Sequence, residues 1–181
     1  LSQLTGKSVK ELKDRGKAAE REFAYQSYLA QISKSFGPEK AAEVKKAMDA
    51  MPKMLRDSVV EQKLFGNIRN DQGRLLSSII PGFVGIVDEI GRSANNANLN
   101  LKTYEDIIGK NNKVFEEIMG NQTLQALAGA NTKYAETINS IGEMSLEFMR
   151  INKKAIEDVR AATQKQYQEA VTGAPPGKET T

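Results

Sequence analysis

Three pairs of neighbouring carboxylates, Asp88–Glu89, Glu105–Asp106 and Glu116–Glu117, and two pairs of lysines, Lys45–Lys46 and Lys153–Lys154, have side chains that can do chemistry. Paired carboxylates can trade a proton as acid and base, and paired ammonium groups can hold a phosphate. On a helix, adjacent residues project about 100° apart, so neither kind of pair converges on one reacting atom. These pairs therefore read as solvated faces. The chain has no His and no Cys, which removes the usual base near neutral pH, the thiolate nucleophile, disulfides and the commonest metal ligands. No GxxxxGK[ST] loop occurs, and GFVGIVDEIG, Gly82 to Gly91, lacks the strand and glycine spacing of a dinucleotide site. The sequence thus predicts no catalytic, metal or cofactor-binding residue, no cofactor, and a protein that is not an enzyme.

Composition narrows the class further. The 181 residues suffice for one or two domains with a core, and a net charge of +3 with both signs mixed gives no reason to expect recognition of a nucleic-acid sequence. Hydrophobic residues make up 39 %, which is lean for a globule and suits a long helix that shares its apolar stripe with another chain. The start at Leu1 suggests a processed product or a segment of a longer chain, LSQLTGKSVKELKDRG is too polar for a signal peptide, and no window holds the roughly 18–20 apolar residues of a membrane span.

The apolar spacing is helical throughout, so the expected fold class is all-α. Ser8 and Glu11 have capping-box spacing, and Phe23, Tyr25, Tyr28, Leu29, Ile32 and Phe36 continue the helix they open. Gly37 stops it and Pro38 begins the next, which carries Ala41, Val44, Met48 and Met51 until Pro52 interrupts. Gly66, Asn67, Asn70 and Gly73 mark a loop. Leu76, Ile79, Ile80, Phe83, Val87 and Ile90 then predict an amphipathic helix over 75–92, with Pro81 near its start and a Gly82/Gly85 side for close packing. SANNANLN, Ser93 to Asn100, reads as a polar loop, Thr103 as the cap of a helix to about Met119 that Gly120 and Asn121 break or weaken, and Gln122 to Val171 as one uninterrupted helix, a rod of ~75 Å at ~1.5 Å per residue. GAPPGKETT has the composition of a flexible tail. The expected organisation is a short-helix region at 1–102, a helical rod at 103–171 and a tail or linker at 172–181, without a clean internal repeat.

A heptad frame fits the rod. Leu127, Tyr134, Ile141, Phe148, Ala155 and Ala162 form one series, and Asn131, Ile138, Ser145, Asn152, Val159 and Gln166 the other. Steps of four and three make the seam of a coiled coil, and polar layers at Asn131 and Asn152 fix register at a cost in stability. Leu127, Asn131, Tyr134, Ile138, Ile141, Phe148, Asn152, Ala155 and Val159 are the expected interface of a parallel homo-oligomer, a trimer in the first instance. The rival reading makes the same helix part of an intrachain bundle.

SFGPEKAAEVKKAMDAMPKMLRDSVVEQKLFG, Ser35 to Gly66, followed by LLSSIIPGFVGIVDEIG and an Asn-rich loop, resembles the tail tape measure proteins of long-tailed bacteriophages, over roughly Gln31 to Asn112. The shared features are packing and turn motifs. The resemblance implies a structural virion protein: a long, mainly helical ruler in the lumen of the tail tube or at the baseplate hub. Such a ruler is present as a trimer or hexamer, is covered by tube subunits until tail length is set, and is expelled before DNA ejection, in some phages into the host envelope. Its partners would be other copies of itself, tube and hub proteins and, on ejection, the host membrane. Ile79, Ile80, Phe83, Val84, Ile86 and Val87 would be the membrane-active residues, or else a buried helix face. The alternative is an amphipathic coat protein similar to the phasins of polyester granules, for which FEEIMGNQTLQALAGANTKYAETINSIGEMSLEFMR, Phe115 to Arg150, would supply the surface-binding stripe.

Overall fold

The computed structural model describes residues 6–172, and within them every side chain except those of 6–12, 145–153, 155 and 156. Among the described residues all regular structure is α-helix. The first helix, α1 (Gly6–Phe36), ends at Gly37, whose φ of 95° lies in the region that favours glycine, and Pro38 opens α2 (Pro38–Ala50). Met51 is extended because it precedes Pro52, and α3 (Lys53–Phe65) follows at once. A left-handed Gly66 closes α3. After the loop, the Asn70 carboxamide oxygen accepts from the Gly73 N–H (2.7 Å) and caps α4 (Asp71–Ile79).

The helix expected over 75–92 is two helices. Ile80 is extended (φ −125°, ψ 92°), as a residue before proline tends to be, and Pro81 starts α5 (Gly82–Asn95). The expected polar loop is mostly absorbed: α5 runs to Asn95, and Ala97 and Leu99 are buried. Asn100, not Thr103, is the cap of α6 (Leu101–Lys110). Thr103 occupies the third helical position and returns the hydrogen bond to the Asn100 N–H (2.8 Å), a reciprocal capping box.

The rod expected from 103 is also divided. Asn111, Asn121 and Asn131 separate α6, α7 (Asn112–Gly120), α8 (Gln122–Ala130) and α9 (Thr132–Thr172). At Asn121 and Asn131 the side-chain oxygen takes the N–H of Leu124 and Lys133, respectively, so each asparagine closes one helix and caps the next.

The apolar faces meet in one cluster. Helix α1 packs on α2 and α3, α3 on α5, α2 and α5 on α6, and α9 on α6, α7 and α8. Tyr28, Met48, Leu55, Phe83, Ile108 and Phe115 are among its fully buried side chains, and Ile141 is its last fully buried member along α9 among the described side chains. From Lys154 to Thr172 every described side chain is exposed except half-buried Glu169. These 19 residues carry α9 about 28 Å further. The tail expected at 172–181 lies, beyond Thr172, outside the described residues.

Candidate functional site

Two features of this fold can act on something else: a charged cleft between α1 and α3, and the projecting part of α9. The cleft encloses about 220 Å³ and is lined by Lys17, Glu20, Arg21 and Ala24 of α1, by Asp57, Val60, Glu61 and Phe65 of α3, and by Arg69 and Asp71 beyond it. Positions 17, 20, 21 and 24 share one face of α1, and 57, 60, 61 and 65 share one face of α3.

Its two inner carboxylates are 5 % and 6 % exposed, at Asp57 and Glu61 respectively. Burial pushes the Asp57 carboxyl above the usual range, against the pull of Arg56 and Arg21. Arg56 Nη2 stands 3.7 Å from Asp57 Oδ1 and 3.6 Å from Glu22 Oε2, and its guanidinium lies 4.3 Å over the Tyr25 ring. The Tyr25 hydroxyl donates to Asp49 Oδ1 (2.8 Å), and Lys45 Nζ donates to the other oxygen, Asp49 Oδ2. Burial of Asp49 acts upward, but the hydrogen bonds from Lys45 and Tyr25 outweigh it and hold that carboxyl below its ordinary value. Burial pushes the Tyr25 hydroxyl up, the opposite of what activating a phenol requires.

Glu61 Oε1 accepts from the backbone N–H of Arg69 (3.1 Å), the backbone N–H of Asn70 (2.9 Å) and Asn70 Nδ2 (2.7 Å). Asn70 Nδ2 also donates to Ser58 Oγ (3.0 Å), which in turn donates to the Met54 carbonyl (2.8 Å). A Cβ at Gly73 would collide with Ser58 Oγ and with Ile68 Cγ2, so any larger residue there must displace those side chains. Glu61 thus holds the loop before α4 against α3, and Arg56, through Glu22 and the Tyr25 ring, holds α1 against α3. The arrangement is a clamp.

Of the carboxylate and lysine pairs singled out above, Lys45 reaches this network through Asp49, and the other described members stay apart from it. Asp88, Glu105, Asp106, Glu116 and Glu117 are exposed. Glu89 accepts from Lys110 Nζ (2.9 Å) and Asn111 Nδ2 (3.2 Å), and the Lys110 bond leads in lowering its pKa. Lys45, Lys46 and Lys154 are exposed, while the Lys153 side chain lies outside the described residues.

The expected oligomer seam is divided. Ile138 and Ile141 point into the chain's own core, 4 % and 0 % exposed, where α6 and α7 cover them; no second chain is needed to bury them. Leu127 and Tyr134 are half-buried and Asn131 is exposed. The side chains of Phe148, Asn152 and Ala155 lie outside the described residues, and Val159 is 65 % exposed. Of the apolar helix face, Ile80, Phe83, Ile86 and Val87 are buried in the core, and Ile79 and Val84 are half-buried. Among the described residues no helix is long and apolar enough to cross a membrane. The glycine side is used at one of its two positions: a Cβ at Gly82 would meet Val114 at 2.9 Å, whereas Gly85 faces open space. The stripe that a granule coat would need is spent internally, since Phe115, Ile118, Leu124, Ile138 and Ile141 are all core residues.

Sequence reasoning missed the clamp and the helix breaks at Asn111 and Asn131. The breaks had a signal. KTYEDIIGKN, Lys102 to Asn111, and KVFEEIMGN, Lys113 to Asn121, share Lys, an aromatic, two acids, Ile, a second apolar residue, Gly and a closing Asn, and a further Gly–Ala–Asn stands at 129–131. The buried aromatics Tyr104 and Phe115 occupy equivalent places in the first two units. No family model, curated protein or solved structure matches this chain.

Proposed function

We propose that this chain is a structural, non-enzymatic segment of a bacteriophage tail tape measure protein, in which a helical body anchors a projecting helix that pairs with other copies as a trimer or hexamer. The observation that carries an assembly role is the exposed run of α9 from Lys154 to Thr172. Most helical stability in proteins comes from packing of an apolar face rather than from intrinsic propensity. Val159, Tyr167 and Val171 are 65 %, 68 % and 67 % exposed on this run, so partners of the same kind would supply what the body does not. The tape measure reading itself rests on the resemblance over roughly residues 31–112. In that reading the body marks one end of the ruler, at the hub or tube end, and the paired helices convert residue number into length at about 1.5 Å each. Ile80, Phe83, Ile86 and Val87 would meet the host envelope only if expulsion opened the body.

Antibodies raised against the chain test this. Purified tailed particles induced from the source strain should contain it, and particles triggered to eject DNA in vitro should have released it. Recovery from envelope or granule fractions, with none in purified particles, would overturn the assignment.

A further inference from the structure

The break at Asn131 has three properties of a hinge. It is one residue long: Ala130 closes α8, Thr132 opens α9, and Asn131 alone is extended (φ −141°, ψ 112°). No proline stands between Gln122 and Thr172, and no glycine of α8 has a positive φ, so nothing in the backbone bars a helical Asn131. The apolar phase runs straight through the break. Leu124, Leu127, Asn131, Tyr134, Ile138 and Ile141 follow at steps of three, four, three, four and three, which is one face of a single helix. Asn121 lacks this property: Ile118 and Leu124 lie six residues apart, about 120° from sharing a face, so a straight α7–α8 junction would turn the stripe away.

The bend is held from outside the hinge. The Met119 side chain packs on Gly142, with Sδ 2.7 Å from where a Cβ would stand, and Gln125 Nε2 donates to the Met119 carbonyl (2.5 Å). The end of α7 thereby closes α8 back along the first turns of α9. Ile138 and Ile141 are buried in this form, on a helix that packs against α6, α7 and α8.

We infer that Asn131 is a two-state hinge. When the projecting part of α9 is paired with other copies, α8 swings into line and adds its nine residues to α9, giving one helix from Gln122 to Thr172. The seam from Leu124 to Ile141 leaves the body's core and joins the interchain stripe that continues to Val159. The inference deepens the proposed function and rests on its self-association. Two backbone dihedrals change, and each apolar side chain that leaves α6 and α7 is covered again by a neighbouring copy.

The chain has no Cys, so Gln122→Cys and Glu143→Cys, both at exposed positions, can be spin-labelled on the otherwise intact protein. In the bent form these sites flank the touching Met119 and Gly142; in one continuous helix they stand about 32 Å apart, 21 residues at 1.5 Å. Electron–electron distance measurement and sedimentation are run on the same samples over a concentration series. A short distance in the monomer giving way to a population near 32 Å in the multimer is expected. Asn131→Ala, which removes the cap and raises helix propensity, should move the balance roughly tenfold toward the long distance. A multimer that keeps only the short distance, with Asn131→Ala as well, overturns the hinge while leaving self-association standing. A long distance in a persistent monomer overturns the coupling and the proposed pairing but keeps the hinge. No long distance and no multimer overturns both.

Discussion

Glu61 is the residue whose removal should cost the body most per atom deleted. Its Oε1 gathers three donors, of which the Asn70 backbone N–H and the Asn70 carboxamide are buried. In Glu61→Ala those two donors lose an ionised acceptor in a place water does not reach. A buried orphaned donor costs about 1–3 kcal/mol. Asn70 Nδ2 keeps Ser58 Oγ as a second partner, and the Arg69 N–H is partly buried and can turn to solvent, so the loss should be roughly 3 kcal/mol. At about 2–4 °C per kcal/mol for a chain of this size, the melting midpoint followed by circular dichroism should fall by roughly 6–12 °C. Glu61→Gln keeps a carbonyl oxygen in the same place and gives up only the charge, so about 1 kcal/mol is expected. The double variant Glu61→Ala/Asn70→Ala should cost less than the sum of its parts, because the second change removes the side-chain donor that the first leaves stranded. If Glu61→Ala unfolded within about 0.5 kcal/mol of the parent, or Glu61→Gln were as damaging as Glu61→Ala, the clamp would not be held by this acceptor.

Other positions separate body from projection. Ile141→Ala should cost roughly 2–5 kcal/mol in urea unfolding at dilution, whereas Val159→Asp should change that value by less than about 0.5 kcal/mol and instead weaken self-association by sedimentation; equal effects on stability would contradict the placement of these two residues. Tyr28→Phe removes the donor to Asn95 Oδ1 (2.6 Å) at a fully buried position and should cost about 1–2 kcal/mol, read from the same unfolding curves. Asp57 has a folded-state pKa raised by burial, so its favourable contribution is complete below the ordinary carboxylate range and lost as pH rises through the folded value. Asp57→Asn should therefore raise the urea midpoint at pH 7 and give no gain at pH 3; a gain that grew toward low pH would reverse the sign and refute the burial argument.

What the sequence disclosed and what it hid divide along a physical line. Stops written into the backbone were legible: Gly37, Pro38, Pro52 and Gly66 all sit at helix ends, because a positive φ or a missing N–H constrains the chain whatever surrounds it. The stop at Asn121 was legible beside Gly120, but those made by Asn111 and Asn131 were not, because asparagine is only mildly unfavourable inside a helix and becomes a cap when tertiary packing draws the next segment away. The periodicity from Leu127 to Ile141 has the spacing of one continuous face, yet the body breaks the helix at Asn131 and buries Ile138 and Ile141 in its own core. An apolar stripe records that a face must be covered; it does not record whether the cover comes from the same chain or another. Asp57 and Glu61 were hidden for the same reason: at i and i+4 on α3 they resemble a solvated acidic pair, and only the arrival of α1 and Asn70 buries them. Among the described residues, Asn131 is a place where sequence periodicity and folded backbone disagree while both remain sterically open. On the proposed pairing, the chain's own helices and other copies would compete there for the same side chains, and the outcome would depend on how many copies are near.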